Sequence, residues 1–364
     1  PCRAFLKWAG GKFALVPQLQ SQLPPADLLV EPFAGAASLF LNSDYPRYQL
    51  NDINGDLIAL YRQLDADPER LIGQIRPLFS PAYNSREAYL QARDQFNASR
   101  DPFERSVLFV YLNRHGFNGL CRYNKRGLYN VPFGRYKRPY CPEAELRAFA
   151  AKAVRCQLTN LPFEQVFAEL DEHAVVYCDP PYAPLSPTAS FTSYSGNIFT
   201  AADQRRLAEC ALWAARERGA LVLISNHDLP FTREIYRHAE ISTLSVSRSI
   251  SRNGASRGKV GELLARVRAL LQQIAADELA GAACCGCLVA NTALELGGRD
   301  RTVNSLLQEH FATLETALTA LMQRGQQQGE IAAGKSPVAL ARFMVATIQG
   351  LRVLGRGYEG EEQA

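Results

Sequence analysis

The chain predicts an α/β fold: a mostly parallel sheet covered by helices, interrupted by a helical insert and followed by an all-α segment. Three observations carry this. Short apolar runs ending in polar residues recur through residues 1–265 with helical patterns between them, the alternation of a parallel sheet. Residues 62–154 break that rhythm with two helical stretches and a loop-rich basic segment. After "VGELLA" at 260–265, Leu, Ala, Gln and Glu dominate at helical spacing. The sheet is therefore assigned to 1–61 with 155–265, the insert to 62–154, and the helical segment to 266–364.

Taken in order, "LLVEPFAGAASLFLN" reads as a strand over Leu28–Glu31, a small-residue turn at Gly35 and a helix from about Ser38. "YQLNDINGDLIALYRQL" repeats the form, with a strand ending at Asp52. In the insert, "REAYLQARDQFN" and "PFERSVLFVYLNRH" are helical. "VVYCDPPY" at 175–182 is a buried strand that stops at Asp179, because Pro180 and Pro181 bring no N–H to a sheet. "FTAADQRRLAECALWAARERG" is an amphipathic helix capped by Thr200 and stopped by Gly219. "ALVLISNHD" is a further apolar strand.

With 364 residues, the chain has room for two or three domains. No run of about eighteen apolar residues appears, so no membrane span is expected. The N-terminus shows no signal-peptide pattern and no initiator Met, and is read as trimmed. Nine scattered cysteines, an odd count, point to reduced thiols in a cytoplasmic protein. "CCGC" at 284–287 reads as a small-residue helix rather than a metal site, and the five histidines show no ligand spacing, so no metal is expected. Residues 1–265 hold 31 Lys+Arg against 26 Asp+Glu, whereas 266–364 hold 9 against 10.

Four segments carry chemistry. "FAGAAS" places Phe33 and Gly35 on a turn that lets backbone approach a ligand, and Asp52, seventeen residues beyond Gly35, suits ribose hydroxyls; a purely structural turn fits equally well. "FLKWAGGK" sets Lys7, Trp8 and Lys12 around two glycines without phosphate-loop spacing. It is either a turn opening a helix or a loop closing over a small ligand, with Lys12 meeting a carboxylate. Residues 111–140 interleave seven cations with seven aromatics and four asparagines, with no acid, which favours nucleic acid over a merely solvated face. "GASRG" at 254–258 matches G-x-S-x-G, but its polar, Arg-rich setting sets a hydrolase aside.

In the fourth, Asp179 and a proline carbonyl are acceptors beside the stacking face of Tyr182. They suit an exocyclic amine, whose N–H groups would be held while its nitrogen attacks an electrophile such as a sulfonium methyl. A base in a duplex reaches such a pocket only when flipped out, at a cost of a few kcal/mol.

Residues 3 to about 265 resemble Dam-type DNA adenine methylases. The resemblance rests on "FLKWAGGK", "EPFAGAAS", "NDIN", "LNRHGFNGLCRYN", "VPFGRYKRPY", "VVYCDPPYAPLS" and "LISNHD" in that order. It implies a doubly wound sheet of the S-adenosylmethionine-dependent methyltransferase type with a helical target-recognition insert. It also implies S-adenosyl-L-methionine as methyl donor, duplex DNA as partner and adenine N6 in GATC as target, in a cytoplasmic, nucleoid-associated enzyme. Trp8, Lys12, Phe33, Gly35, Asp52 and Asp179 are implied at the cofactor, and Asp179, Pro180, Pro181 and Tyr182 in catalysis. Lys7, Phe117, Asn118, Leu120, Arg122, Asn130, Pro132, Arg135 and Lys137 are implied at DNA, with Arg122 reading a base.

Two departures from that family stand out. Its glycine turn usually reads F-x-G-x-G-S, and Ala37 holds the last glycine position, an added methyl expected to weaken cofactor binding slightly. The family also stops soon after residue 265. Here residues 266–356 resemble the C-terminal ligand-binding half of TetR-type regulators, through "GCLVANTALEL", "HFATLETAL", "RGQQQGEI" and "LARFMVATIQGLRVLGR". The apolar stripe of the last helix is expected to pair two chains weakly. A ligand-responsive regulator is the competing reading, opposed by the lack of a helix-turn-helix before residue 266. An amino-methyltransferase on RNA or a protein amide is another, opposed by the basic aromatic insert.

Overall fold

The computed structural model describes residues 2–184, 199–247, 259–268, 300–327, 331–332 and 334–354. "GASRG", "CCGC" and "GCLVANTALEL" lie outside the described residues. The chain divides into two compact units, Pro1–Arg268 and Ala269–Ala364.

The first unit is built on seven strands: β1 (Leu28–Glu31), β2 (Arg47–Asn51), β3 (Cys156–Thr159), β4 (Val175–Cys178), β5 (Leu221–His227), β6 (Glu240–Ser247) and β7 (Lys259–Val267). Its helices are α1 (Val16–Gln20), α2 (Ser38–Asn42), α3 (Gly55–Ala66), α4 (Pro68–Ile75), α5 (Arg86–Ala98), α6 (Pro102–His115), α7 (Glu143–Ala153), α8 (Phe163–Ala168), α9 (Ala201–Glu217) and α10 (Pro230–Ile235). The strands lie in the order β3-β2-β1-β4-β5-β7-β6. All pairs are parallel except those made by β7, which runs antiparallel to β5 and β6.

Every residue of β1 and β4 is buried, as a sheet covered on both faces requires. Alternation sorts the side chains. Leu29, Leu50, Tyr177 and Leu223 join the core that contains residues of α2, α3 and α7. Leu28, Val30, Val176, Cys178 and Ile224 face the other way, into the core shared with α8 and α9. The sheet is thus doubly wound, and its strand order reverses between β1 and β4, where an open α/β sheet receives ligands.

Local chemistry fixes the ends of the elements. Asn54 caps α3 by accepting the N–H groups of Asp56 and Leu57, and Thr200 and Asp203 form a capping box on α9. Asp67 ends α3 and its side chain starts α4, with Pro68 in the first turn. α3 therefore runs through residue 62, and the change of texture in the sequence follows a completed helix. No apolar run announces the edge strand β3, since Gln157 is exposed and its other residues are only half-buried. β7 runs two residues past Ala265.

The second unit contains α11 (Arg301–Gln327) and α12 (Pro337–Leu354). Arg342 Nε donates to Glu315 Oε1 between them at 2.8 Å. Among the described residues, no helix is long and apolar enough to cross a membrane.

Ala37, the N-cap residue of α2, is fully buried with φ at 55° and ψ at 38°. The family glycine at this position is explained by backbone, since a left-handed conformation costs an L residue about 1–2 kcal/mol. Ala37→Gly is expected to stabilise the first unit by about 1 kcal/mol, a rise of about 2–4 °C in its thermal transition. A fall in the transition temperature on calorimetry would refute this.

Candidate functional site

The reversal of strand order places three loops at one edge of the sheet. After β1 the chain turns through Gly35, whose φ is 47°. Tyr61 on α3 donates its hydroxyl to the Gly35 carbonyl. The Gly35 N–H donates to Asp52 Oδ2 at 3.0 Å, and the Asn54 N–H to Asp52 Oδ1 at 2.9 Å. A side chain at position 35 would bring its Cβ within 2.9 Å of the Trp8 indole nitrogen, so the glycine makes room for Trp8. Trp8, Gly35 and Asp52 are thus brought together. Phe33 is on the same turn but packs against Phe163 and Phe199, at centroid distances of 5.5 and 5.7 Å.

At the end of β4, Asp179 meets the lysine of the glycine loop. Lys12 Nζ lies 3.0 Å from Asp179 Oδ1, donates to the Gly10 carbonyl at 2.8 Å and sits 4.7 Å from the centre of the Tyr182 ring. Lys12 is buried, whereas the Asp179 side chain keeps 24% exposure, open to a ligand. Burial raises the Asp179 pKa; Lys12 opposes this, and Glu262 adds to it. Asp52 is also raised by burial, against the two backbone N–H bonds it accepts.

Side chains that the sequence reading did not single out hold the double-proline turn. Gln204 of α9, fully buried, donates to the Pro181 carbonyl at 2.7 Å. Asn226 of β5, also fully buried, donates to Gln204 Oε1 at 2.9 Å and accepts the Ala183 N–H at 3.0 Å. His227 packs edge-on to Tyr182 at 4.8 Å, and its Nδ1 lies 2.6 Å from the Ala183 carbonyl oxygen. Glu262 of β7 accepts the Tyr182 hydroxyl at 2.7 Å. The signal for these was present in part: Asn226, His227 and Glu262 are polar residues inside or closing apolar runs, where an unpaired polar group is costly.

The basic segment folds as a hairpin on the insert. Tyr123 and Tyr129 pair across it, and the Asn130 N–H donates to the Arg122 carbonyl at 3.1 Å. Asn124 accepts the N–H groups of Arg126 and Leu128 and closes the tip at Gly127. Tyr123 anchors the hairpin by donating to Asp56 Oδ2 at 2.7 Å, and Asp56 is clamped by both ends of the Arg105 guanidinium at 2.8 and 2.9 Å. Asn54 Nδ2 meets Cys121 Sγ at 3.4 Å.

Phe117, Asn118, Arg122, Pro132, Arg135 and Lys137 are exposed, and Leu120 and Asn130 half-buried, on this segment. Asn118 and Arg135 are held at φ of 53° and 54°, strain of the kind that gathers at functional sites. Arg122 Nε donates to Asn130 Oδ1 at 2.7 Å, so its fork is aimed in advance. Lys7 docks the N-terminal loop beside them: its backbone exchanges hydrogen bonds with Asn113, and its ammonium lies 3.7 Å from the centre of the Tyr136 ring. The residues around the Gly35 turn and those of the hairpin thus form two groups on the first unit. Among the described residues, no group of three His, Cys, Asp or Glu is placed to hold a metal ion.

Residues 8–250 match the family of D12 class N6 adenine-specific DNA methyltransferases. Residues 263–362 match the tetracyclin repressor-like C-terminal domain family. The DNA adenine methylase of Vibrio cholerae serotype O1 is 56% identical over 263 residues, 72% of this chain and 95% of that protein. That of Escherichia coli K12 is 54% identical over 263 residues, 72% of this chain and 94% of its own length. That of Serratia marcescens is 50% identical over 266 residues, 73% and 98% of the two chains.

Behind the turn, Glu31 is buried and accepts the Phe40 N–H at 2.9 Å. Burial pushes its pKa from 4.5 up to about 8. Between those values the folded chain holds a proton that the unfolded chain has released, so stability falls as pH rises through that window. Glu31→Gln keeps the acceptor and removes the titration. It is expected to flatten the fall in melting temperature between pH 4.5 and about 8, and an unchanged slope would show that Glu31 is not its source.

Proposed function

The chain belongs to the D12 class N6 adenine-specific DNA methyltransferases, and on that premise we propose that it methylates adenine N6 in duplex DNA at GATC, with S-adenosyl-L-methionine as donor and the base flipped out. The observation that carries the reading is the meeting of Asp179, Lys12 and Tyr182 at the point where strand order reverses.

The residues fit that donor. Each oxygen of Asp52 accepts one backbone N–H and keeps a lone pair for a ribose hydroxyl. Asp52, Asp179 and Glu262 bring carboxylates to this edge, a setting that suits a cation. When bound, the donor supplies a methyl group activated by positive sulfur. Phe33, on the glycine turn, adds an apolar wall.

Of the two proline carbonyls, that of Pro181 is taken by Gln204, which leaves the Pro180 carbonyl to pair with Asp179 as acceptor for the two N–H groups of the adenine amine. Both bonds draw electron density onto N6 and aim its lone pair. The proton that N6 sheds as the N–C bond forms is already hydrogen-bonded to one of these acceptors. Tyr182 offers its ring face for stacking, held upright by Glu262 and His227.

The hairpin is the reading head. Arg122, presented by Asn130, matches the two acceptors of a guanine edge, and Lys7, Asn118, Leu120 and Pro132 line the approach. Phe117 is 48% exposed and suits a stacking or wedging contact, while Arg135 and Lys137 suit phosphates. In the second unit, the exposed Leu321, Val338 and Phe343 support pairing of two chains.

Methyl transfer to a GATC duplex and to one with a single altered base tests the reading. Transfer is expected for GATC alone, and Asp179→Ala is expected to lower its rate at least 100-fold. Arg122→Ala is expected to lose about 1–3 kcal/mol of discrimination at one base pair, whereas Lys137→Ala weakens all duplexes alike and lowers the salt slope by about 0.9. Equal transfer to both duplexes by the unaltered chain would overturn the target assignment.

A further inference from the structure

Glu262 lies beyond residues 8–250, the stretch that matches the methyltransferase family. Because β7 runs antiparallel, it enters the sheet at the edge where β4 and β5 leave it, and Glu262 stands opposite His227, the last residue of β5. Its side chain is 9% exposed. A carboxylate so placed needs partners, and both are active-site groups: the Tyr182 hydroxyl at 2.7 Å and Lys12 Nζ at 3.7 Å.

Lys12 is therefore shared unequally between two carboxylates, 3.0 Å from Asp179 and 3.7 Å from Glu262. The sharing bears on catalysis. With the whole ammonium charge on Asp179, that carboxylate is a poor acceptor for an amine N–H, and a cation stands beside a nitrogen that becomes positive as it is methylated. A shift of about 1 Å would carry Lys12 Nζ to charge-assisted hydrogen-bonding distance of Glu262.

We propose that Glu262 is a positioning residue for methyl transfer: it draws Lys12 off Asp179 when the adenine amine binds, and fixes the plane of the Tyr182 ring through its hydroxyl. This rests on the reading of Asp179–Tyr182 as the catalytic turn. Glu262 touches neither the base nor the donor in this scheme; it acts through Lys12 and Tyr182.

The experiment compares the full chain with Glu262→Gln, Lys12→Gln, the double variant and Asp179→Ala. It follows single-turnover methyl transfer to a GATC duplex, the DNA KM, and the pH dependence of the rate. Glu262→Gln keeps an acceptor for Tyr182 and removes only the charge. It is expected to lower the rate about 10- to 100-fold with the DNA KM changed less than about threefold, the pattern of an interaction made in the transition state.

The groups facing Asp179 are Lys12 from the N-terminal loop, Glu31 from β1, Tyr177 from β4, Tyr182 on the turn and Glu262 from β7. Removing the Glu262 charge leaves Lys12 to Asp179 alone, so the acid limb of the rate profile is expected to move to lower pH, which a packing defect would not do. The double variant removes one charge of each sign and carries the test if Glu262→Gln alone fails to fold. It is expected to be no slower than Lys12→Gln, and additive losses overturn the proposal. So does a Glu262→Gln enzyme of unaltered rate and acid limb beside an inactive Asp179→Ala. An active Asp179→Ala instead overturns the catalytic turn itself, and the role of Glu262 with it.

Discussion

Pro180 and Pro181 contribute no N–H groups to the end of β4, so the turn that follows cannot be held by its own backbone donors. The donor comes from Gln204, whose amide reaches the Pro181 carbonyl, and Gln204 is held in turn by Asn226. Asn226 then takes the Ala183 N–H and restores the chain to regular bonding two residues past the prolines. Breaking such a network by removing one member strands the others, at about 1–3 kcal/mol for each unsatisfied group. The stiffness of the turn is thus supplied from α9 and β5, and with it the fixed directions of the Asp179 carboxylate and the Tyr182 ring.

The same edge of the sheet sorts charge. Asp52, Asp179 and Glu262 reach it from three different strands or strand ends, with Lys12 folded in among them. The hairpin of the insert is basic and aromatic, and Asp56 ties it to the start of α3 through Tyr123. A carboxylate-rich sheet edge and a basic, aromatic hairpin are thereby kept on separate elements of one unit. α3 joins them: its cap Asn54 donates to Asp52 on one side and meets Cys121 of the hairpin on the other.

Much of this was legible in the residues. The strand ends at Glu31 and Asp179, the caps Thr200 and Gly219, and two helices of the insert, α5 and α6, follow from local rules and recur in the structure, whereas α4 and α7 of the insert were not read from the sequence. The glycine loop does open a helix, as one of its two readings had it, and the carboxylate that Lys12 meets in the structure is that of Asp179. What sequence could not give was register. Nothing local says that β7 is antiparallel, and without that Glu262 cannot be set beside Tyr182. Gln204 reads as an ordinary helix residue until the turn above it is known. β3 went unseen because an edge strand buries too little to leave an apolar signature. At Ala37 the family glycine hinted at the left-handed backbone, but its φ is a fact of the folded turn.

The position of β7 also has a consequence for synthesis. It is the last strand of its sheet in the chain but the next to last in space, lying between β5 and β6. The sheet cannot close until Lys259–Val267 emerges, so β6 has no partner while the ribosome is still translating those residues. Residues 269–364 follow as a separate unit. Until β7 is in place, β5 and β6 present facing open edges, the part of the sheet most exposed to pairing with another chain.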